Sequence, residues 1–144
     1  MDPLSVTASV LTVLGAAGTV LRSLEKTRSF RKAPEEVHAL IEEVSDLRTV
    51  LGGVETLLRE RRENDRSLDG ALLGLSVLLG RAKNKLLELD SVVHYRLIKH
   101  QHTKSGFEVA RSKWVREKSA VAPIQQALRD IRLNLATALG TTAV

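Results

Sequence analysis

The sequence predicts an all-α, up-down four-helix bundle with a hydrophobic N-terminal helix and a kinked C-terminal helix, and three observations lead there. Aromatic residues make up 3% of the chain and apolar residues 43%. Leucine, valine and alanine must therefore fill the core, which suits helices packed on helices better than sheets. Apolar residues recur at alternating intervals of four and three along the chain, the seam of helices packed at a shallow angle. Prolines and polar clusters separate those runs, and 144 residues are the size of one domain, with 1–140 as the bundle and 141–144 as a tail.

The first helix is expected over residues 3–24. Asp2-Pro3 suits a helix start, with an acid before a proline that needs no donor. No charged residue lies between Pro3 and Leu21. Val6, Val10, Val13, Ala17, Val20 and Leu24 fall on one face at helical spacing, which Leu4, Ala8, Leu11, Leu14 and Leu21 widen. Ser5, Ser9, Thr12, Ala16 and Thr19 form a small, mildly polar strip. Arg22, Lys26, Arg28, Arg31 and Lys32 then oppose Glu25 alone, a basic collar where cations suit the helix dipole.

The second helix (34–62) opens at Pro34-Glu35-Glu36 and carries the stripe Leu40, Val44, Leu47, Leu51, Val54, Leu58. Asn64-Asp65 reads as a break. The third (67–99) repeats the rule through Leu68, Leu72, Leu75, Leu79, Ala82, Leu86, Leu89, Val93 and Leu97. Its Gly70, Gly74 and Gly80 read as places of close backbone approach, and charges from Arg81 to Glu88 make it a poor membrane span. Residues 99–106 form a polar basic loop. The fourth (106–139) runs through Phe107, Ala110, Trp114, Val121, Ile124, Leu128, Ile131, Leu135 and Leu139. Pro123 inside it predicts a kink or a break near Ala120–Ala122, and Gly140 reads as its C-cap. Short connections favour up-down packing.

A catalytic site is not expected, and neither is a cofactor or a metal. There is no phosphate-cradling GxxxxGK[ST]. His38, His94, His100 and His102 form no HxxxH pair. Glu35, Glu36, Glu42, Glu43 and Asp46 read as a solvated, dipole-favourable face. With no cysteine there is no disulfide or thiolate metal site. A signal peptide is not expected, since no basic n-region precedes the apolar run. The net charge of +5 calls for anionic partners, membrane surfaces or nucleic acids alike. Nucleic acid is set aside, because basic residues look scattered over every helix and the few aromatics make no stacking platform.

Periodicity alone casts the first helix as a central strut, uncharged because it is surrounded. Its other use is to enter a bilayer, since residues 3–21 would rise about 28 Å, close to the hydrocarbon thickness. Leu4, Val6, Val10, Leu11, Val13, Leu14, Val20 and Leu21 would contribute roughly −2.4 to −4.8 kcal/mol on the insertion scale, and the small polar residues oppose this. A sum so marginal fits conditional insertion as an oligomer better than a permanent anchor. The collar of Arg22, Lys26, Arg28, Arg31 and Lys32 would add about 1 kcal/mol per residue at anionic lipid headgroups.

The opening Met1-Asp2-Pro3-Leu4-Ser5-Val6-Thr7-Ala8-Ser9-Val10 resembles the "MDPLSxxAS" start of fungal HeLo-like N-terminal domains, which precede nucleotide-binding oligomerisation (STAND, NLR-type) modules and prion-like motifs. Ser112-Lys113-Trp114 and the heptad ending Leu128-Arg129-Asp130-Ile131-Arg132-Leu133-Asn134-Leu135 resemble the C-terminal helix of that family, with Trp114 as a core signature. Such domains are similar to cell-death executors of the HET-S type and to the four-helix bundle of the necroptosis pseudokinase. The resemblance implies a cytoplasmic domain of fungal innate immunity and heterokaryon incompatibility. Such a domain is held inactive until an upstream NLR-like or prion-motif protein drives self-association, and it then permeabilises the plasma membrane through Leu4–Leu21. The chain departs from the pattern in having no prion-like motif or nucleotide-binding module, which implies an excised domain or a different activation. The other function expected is a signalling or oligomerisation adaptor without membrane activity.

Overall fold

The computed structural model describes residues 3–28, 35–61, 69–93 and 106–143. They form four helices: α1 (Pro3–Arg28), α2 (Glu35–Arg61), α3 (Asp69–Ser91) and α4 (Gly106–Ala143). No strand occurs among the described residues. α3 closes on a π turn at Val92 and Val93.

Each helix buries its four-three seam, because that spacing keeps one stripe on one side of a 3.6-residue helix. Val6, Val10, Val13, Ala17, Val20 and Leu24 of α1 are all buried, and so is the α2 stripe from Leu40 to Leu58. The α3 stripe is buried from Leu72 to Val93, and the α4 stripe from Val121 to Leu135. These side chains make one core, on which Leu139 also packs. Leu68 and Leu97 lie outside the described residues, as do the side chains of Phe107, Ala110 and Trp114.

α1 touches α2 and α3, and α4 touches the same two, while among the described residues α1 does not meet α4, nor α2 meet α3. The helices thus occupy four corners, with α1 and α4 on one diagonal. Ser23 of α1 lies beside Asp90 of α3, and Ser9 and Thr12 share a groove with Ser76 and Gly80, so α1 and α3 run the same way. Glu43 meets Arg132, and Gly53 faces Leu139, so α2 and α4 also run the same way. The stretch 29–34 reaches at most about 25 Å, shorter than the roughly 40 Å of α2. α2 must therefore start near the end of α1 and run antiparallel to it. The order is up-down-up-down, with the consecutive helices α2 and α3 on a diagonal.

Several sequence expectations are corrected. α1 continues to Arg28 rather than stopping at residue 24. α4 runs unbroken through Pro123, so of the kink or break expected there, the break does not occur. Pro123 and Ser119 are both exposed, so water can serve the Ser119 carbonyl whose donor the proline removes. Gly140 is no cap, since the helix runs on to Ala143. Gly74 and Gly80 do not mediate close approach, because a Cβ at either would meet nothing within 4 Å. Asp2, Asn64-Asp65 and residues 94–99 lie outside the described residues, and so do the surroundings of Gly70.

Candidate functional site

α1 stands at a corner, which overturns the expectation of a surrounded strut. Among the described residues it packs on α2 and α3 alone, and just 28% of its most apolar 18-residue stretch is buried. Its lack of charge therefore extends to a face that water reaches. Of the residues expected to enter a membrane, Val6, Val10, Val13 and Val20 sit in the core seam. Leu14 and Leu21 pack on its edge. Leu11 is 52% exposed and belongs to the outer face with Ser5, Ala8, Thr12, Gly15 and Thr19. The side chain of Leu4 lies outside the described residues.

The hydroxyls on this helix are partly spent on their own backbone. Ser9 donates to the Ser5 carbonyl at 3.0 Å, Thr12 to that of Ala8 at 2.9 Å and Thr19 to that of Gly15 at 3.1 Å. A donor already bonded within its helix loses less when water is withdrawn. Thr49, Thr56 and Thr137 on other helices bond in the same way, so this lowers a cost without marking a site. Between α1 and α3 runs a groove of about 370 Å³ along Ala8, Ser9, Thr12, Ser76, Gly80 and Lys83. Within the basic collar, Arg22 and Lys26 are exposed on the last turns of α1, and Arg22 donates to the Thr19 hydroxyl at 3.2 Å. Arg28 ends the helix and its side chain is outside the described residues, as are Arg31 and Lys32 entirely.

Polar contacts join α1 to α3 and α2 to α4. Ser23 donates to Asp90 at 3.5 Å between α1 and α3. α2 and α4 are clamped by a buried carboxylate: Glu43 accepts from Arg132 Nε at 2.8 Å and from Arg129 Nε at 3.4 Å. The Glu43 side chain is 6% exposed. Its hydrogen bond raises the pKa of Arg132 above the ordinary arginine value, with the charges of Glu43 and Asp46 adding to this against the cost of burial. The sequence reading placed Glu43 on a solvated face. The signal against that was its position, one residue before Val44 at the edge of the buried stripe, opposite two arginines three residues apart. A second cleft of about 720 Å³ lies between α3 and α4, over Val92 and Ile124 with Lys85 and Glu88 at its rim. No group of three metal-ligating side chains occurs among the described residues.

A four-helix bundle with one uncharged corner helix, basic at its C-terminal end, defines the class of protein. Residues 1–141 match the family described as pigment biosynthesis cluster protein PigL N-terminal, and the chain belongs to that family. The family is grouped with the HeLo-like, HET-s-like helical domains, so the resemblance of the opening residues holds at the level of the domain. No curated protein and no solved structure matches the chain.

Proposed function

We propose that this chain is a membrane-targeting, membrane-permeabilising domain of the cell-death type, which acts by oligomerising and releasing α1. The observation that carries the reading is the uncharged outer face of α1. The most apolar 18-residue window of Ser5–Lys26 has a mean hydropathy of 1.4, enough to cross a bilayer by length and composition, yet it is not the enclosed core helix that would pass the same test. Release is conditional. Freeing the seam from Val6 to Leu24 uncovers apolar surface that stabilises the bundle by on the order of 10 kcal/mol, comparable to the stability of a whole domain. Only a bilayer or neighbouring copies that cover the same side chains again offset that loss. Anionic lipids and an upstream NLR-like or prion-motif activator are the partners of this reading, and the chain moves from cytoplasm to plasma membrane on activation.

Leu11 separates the resting and released states. Leu11→Asp places a charge on a face already in water, so the bundle keeps its stability, while insertion becomes about 3 kcal/mol less favourable. Dye release from anionic vesicles should fall at least tenfold with unchanged thermal unfolding. Undiminished release from that variant, or from a chain lacking residues 1–21, overturns the proposal. A signalling adaptor is the second reading, favoured by the exposed Leu73, Val77 and Leu87 of α3. It expects no dye release at all, and partner binding that is lost on Leu73→Asp and Val77→Asp.

A further inference from the structure

The bundle sets its two uncharged stretches side by side. No charged residue lies between Pro3 and Leu21 of α1, or between Gly70 and Gly80 of α3. The two helices run the same way, and Ala8, Ser9 and Thr12 share a groove with Ser76 and Gly80, so the stretches stand at one level. On α1, Ala8, Thr12, Gly15 and Thr19 form an exposed stripe at four-three spacing, with Leu11 beside it. Leu73, Val77 and Gly80 form a second exposed stripe on α3. The groove joins the two, because Ala8, Thr12 and Gly80 line it. Leu11, Leu73 and Val77 are three of the five large apolar side chains exposed among the described residues, so the bare apolar surface is concentrated here. The other sides carry charge along their length. α2 exposes Glu35, Glu42, Asp46 and Glu60 with Arg48 and Arg59, and Lys85 and Glu88 rim the cleft between α3 and α4. On the side formed by α1 and α3, charge begins only past the two stretches, at Arg81 and Lys83 and at Arg22, Glu25 and Lys26.

We infer that the folded bundle docks side-on at a lipid bilayer through this two-helix face, with Leu73 and Val77 of α3 entering the headgroup boundary beside Leu11. The two helices argue for lipid as the occupant. The face is continuous with Ser5–Lys26, which is long and apolar enough to cross a bilayer. α3 lies parallel to it, but its cations from Arg81 onward bar it from spanning, so it lies in the interface as an amphipathic helix does. Dehydrating the face costs little, since Ser9, Thr12 and Thr19 already donate within α1. A folded protein partner uses charged and polar groups to fix its register, and this face offers none along its length. A bilayer needs no register. The inference rests on the membrane reading above and adds to it a second lipid-facing helix, which touches the bilayer before α1 leaves the bundle.

The chain has no cysteine, so a single cysteine at Val77 or at Leu133 can carry an environment-sensitive nitrobenzoxadiazole label. Leu133 is the control, an exposed leucine on α4. On phosphatidylcholine vesicles containing phosphatidylserine, the label at Val77 should brighten severalfold and be quenched by nitroxides placed just below the headgroups. The label at Leu133 should do neither. In vesicle flotation of the full chain, Leu73→Asp with Val77→Asp should weaken binding about tenfold. Thermal unfolding should stay unchanged, since both side chains are already in water, and Leu133→Asp should leave binding as it was. Equal responses of the two labels, a silent Val77 label on bound chain, binding undiminished by the double substitution, or no vesicle binding at all overturns the inference. Dye release reads the earlier proposal separately. A Val77 label in lipid without release supports docking and overturns permeabilisation, whereas release undiminished by the α3 substitutions overturns docking alone.

Discussion

Glu43 carries a charge that this fold keeps from water, and it does so with two arginines on another helix. Removing one partner leaves the carboxylate half-served in a dry place. Arg132→Ala should lower the unfolding free energy by about 2 kcal/mol, read from urea denaturation, with Arg129→Ala costing less because it is more exposed and sits at 3.4 Å. A raised arginine pKa contributes stability fully below its ordinary value, lost only as pH rises through the folded value, which lies in strong alkali. Arg132 therefore adds no slope to stability across neutral pH. The adjacent glycines Gly52 and Gly53 separate propensity from packing. A Cβ at Gly52 meets nothing within 4 Å, whereas one at Gly53 meets Leu139 Cδ2 at 3.0 Å. Gly52→Ala should stabilise by about 1 kcal/mol, and Gly53→Ala should lose that gain to the displaced leucine; thermal unfolding of the two variants decides it.

Among the elements, α1 and α4 break their local rules in different ways. α4 keeps a proline in its interior, which forfeits a backbone hydrogen bond. Pro123→Ala restores that donor and should stabilise the chain by about 2 kcal/mol, up to the 3 kcal/mol that proline costs a helix interior, again by urea denaturation. α1 divides between a seam the bundle needs and a face it does not. Val10 is fully buried, so Val10→Asp should cost more than about 4 kcal/mol and abolish cooperative unfolding by circular dichroism. Leu11→Asp, one residue away, should leave the same melt in place.

In the whole molecule, α1 and α4 share no contact among the described residues, so the departure of α1 leaves α4 joined to both α2 and α3. The Glu43 clamp lies on that retained side. The chain has no cysteine, so introduced pairs are its only thiols. A thiol-cleavable crosslinker between cysteines at Ser9 and Ser76, which line one groove between α1 and α3, should block vesicle leakage until reduced, and one between Gly53 and Leu139 should not. Leakage that persists with α1 tied down would show that α1 does not have to leave. The seams of all four helices were legible from spacing, since i, i+3 and i+4 neighbours share a face whatever the rest of the chain does. Glu43 was not, because its partners lie 86 and 89 residues away. The exposure of Leu11 was hidden for a related reason: an apolar residue at the edge of a stripe is buried or bare according to how many neighbours the helix has.

The amino-acid sequence by itself determined that the chain is four helices, where each seam runs, and that the first helix is uncharged from Pro3 to Leu21. These are local properties, set by helical periodicity and by the residues within a few turns. Only the tertiary structure decided that α1 takes a corner instead of the centre and that α2 and α3 lie on a diagonal. Those outcomes depend on which seams close against one another, a choice made by side-to-side packing across the chain, and no spacing along it records the result.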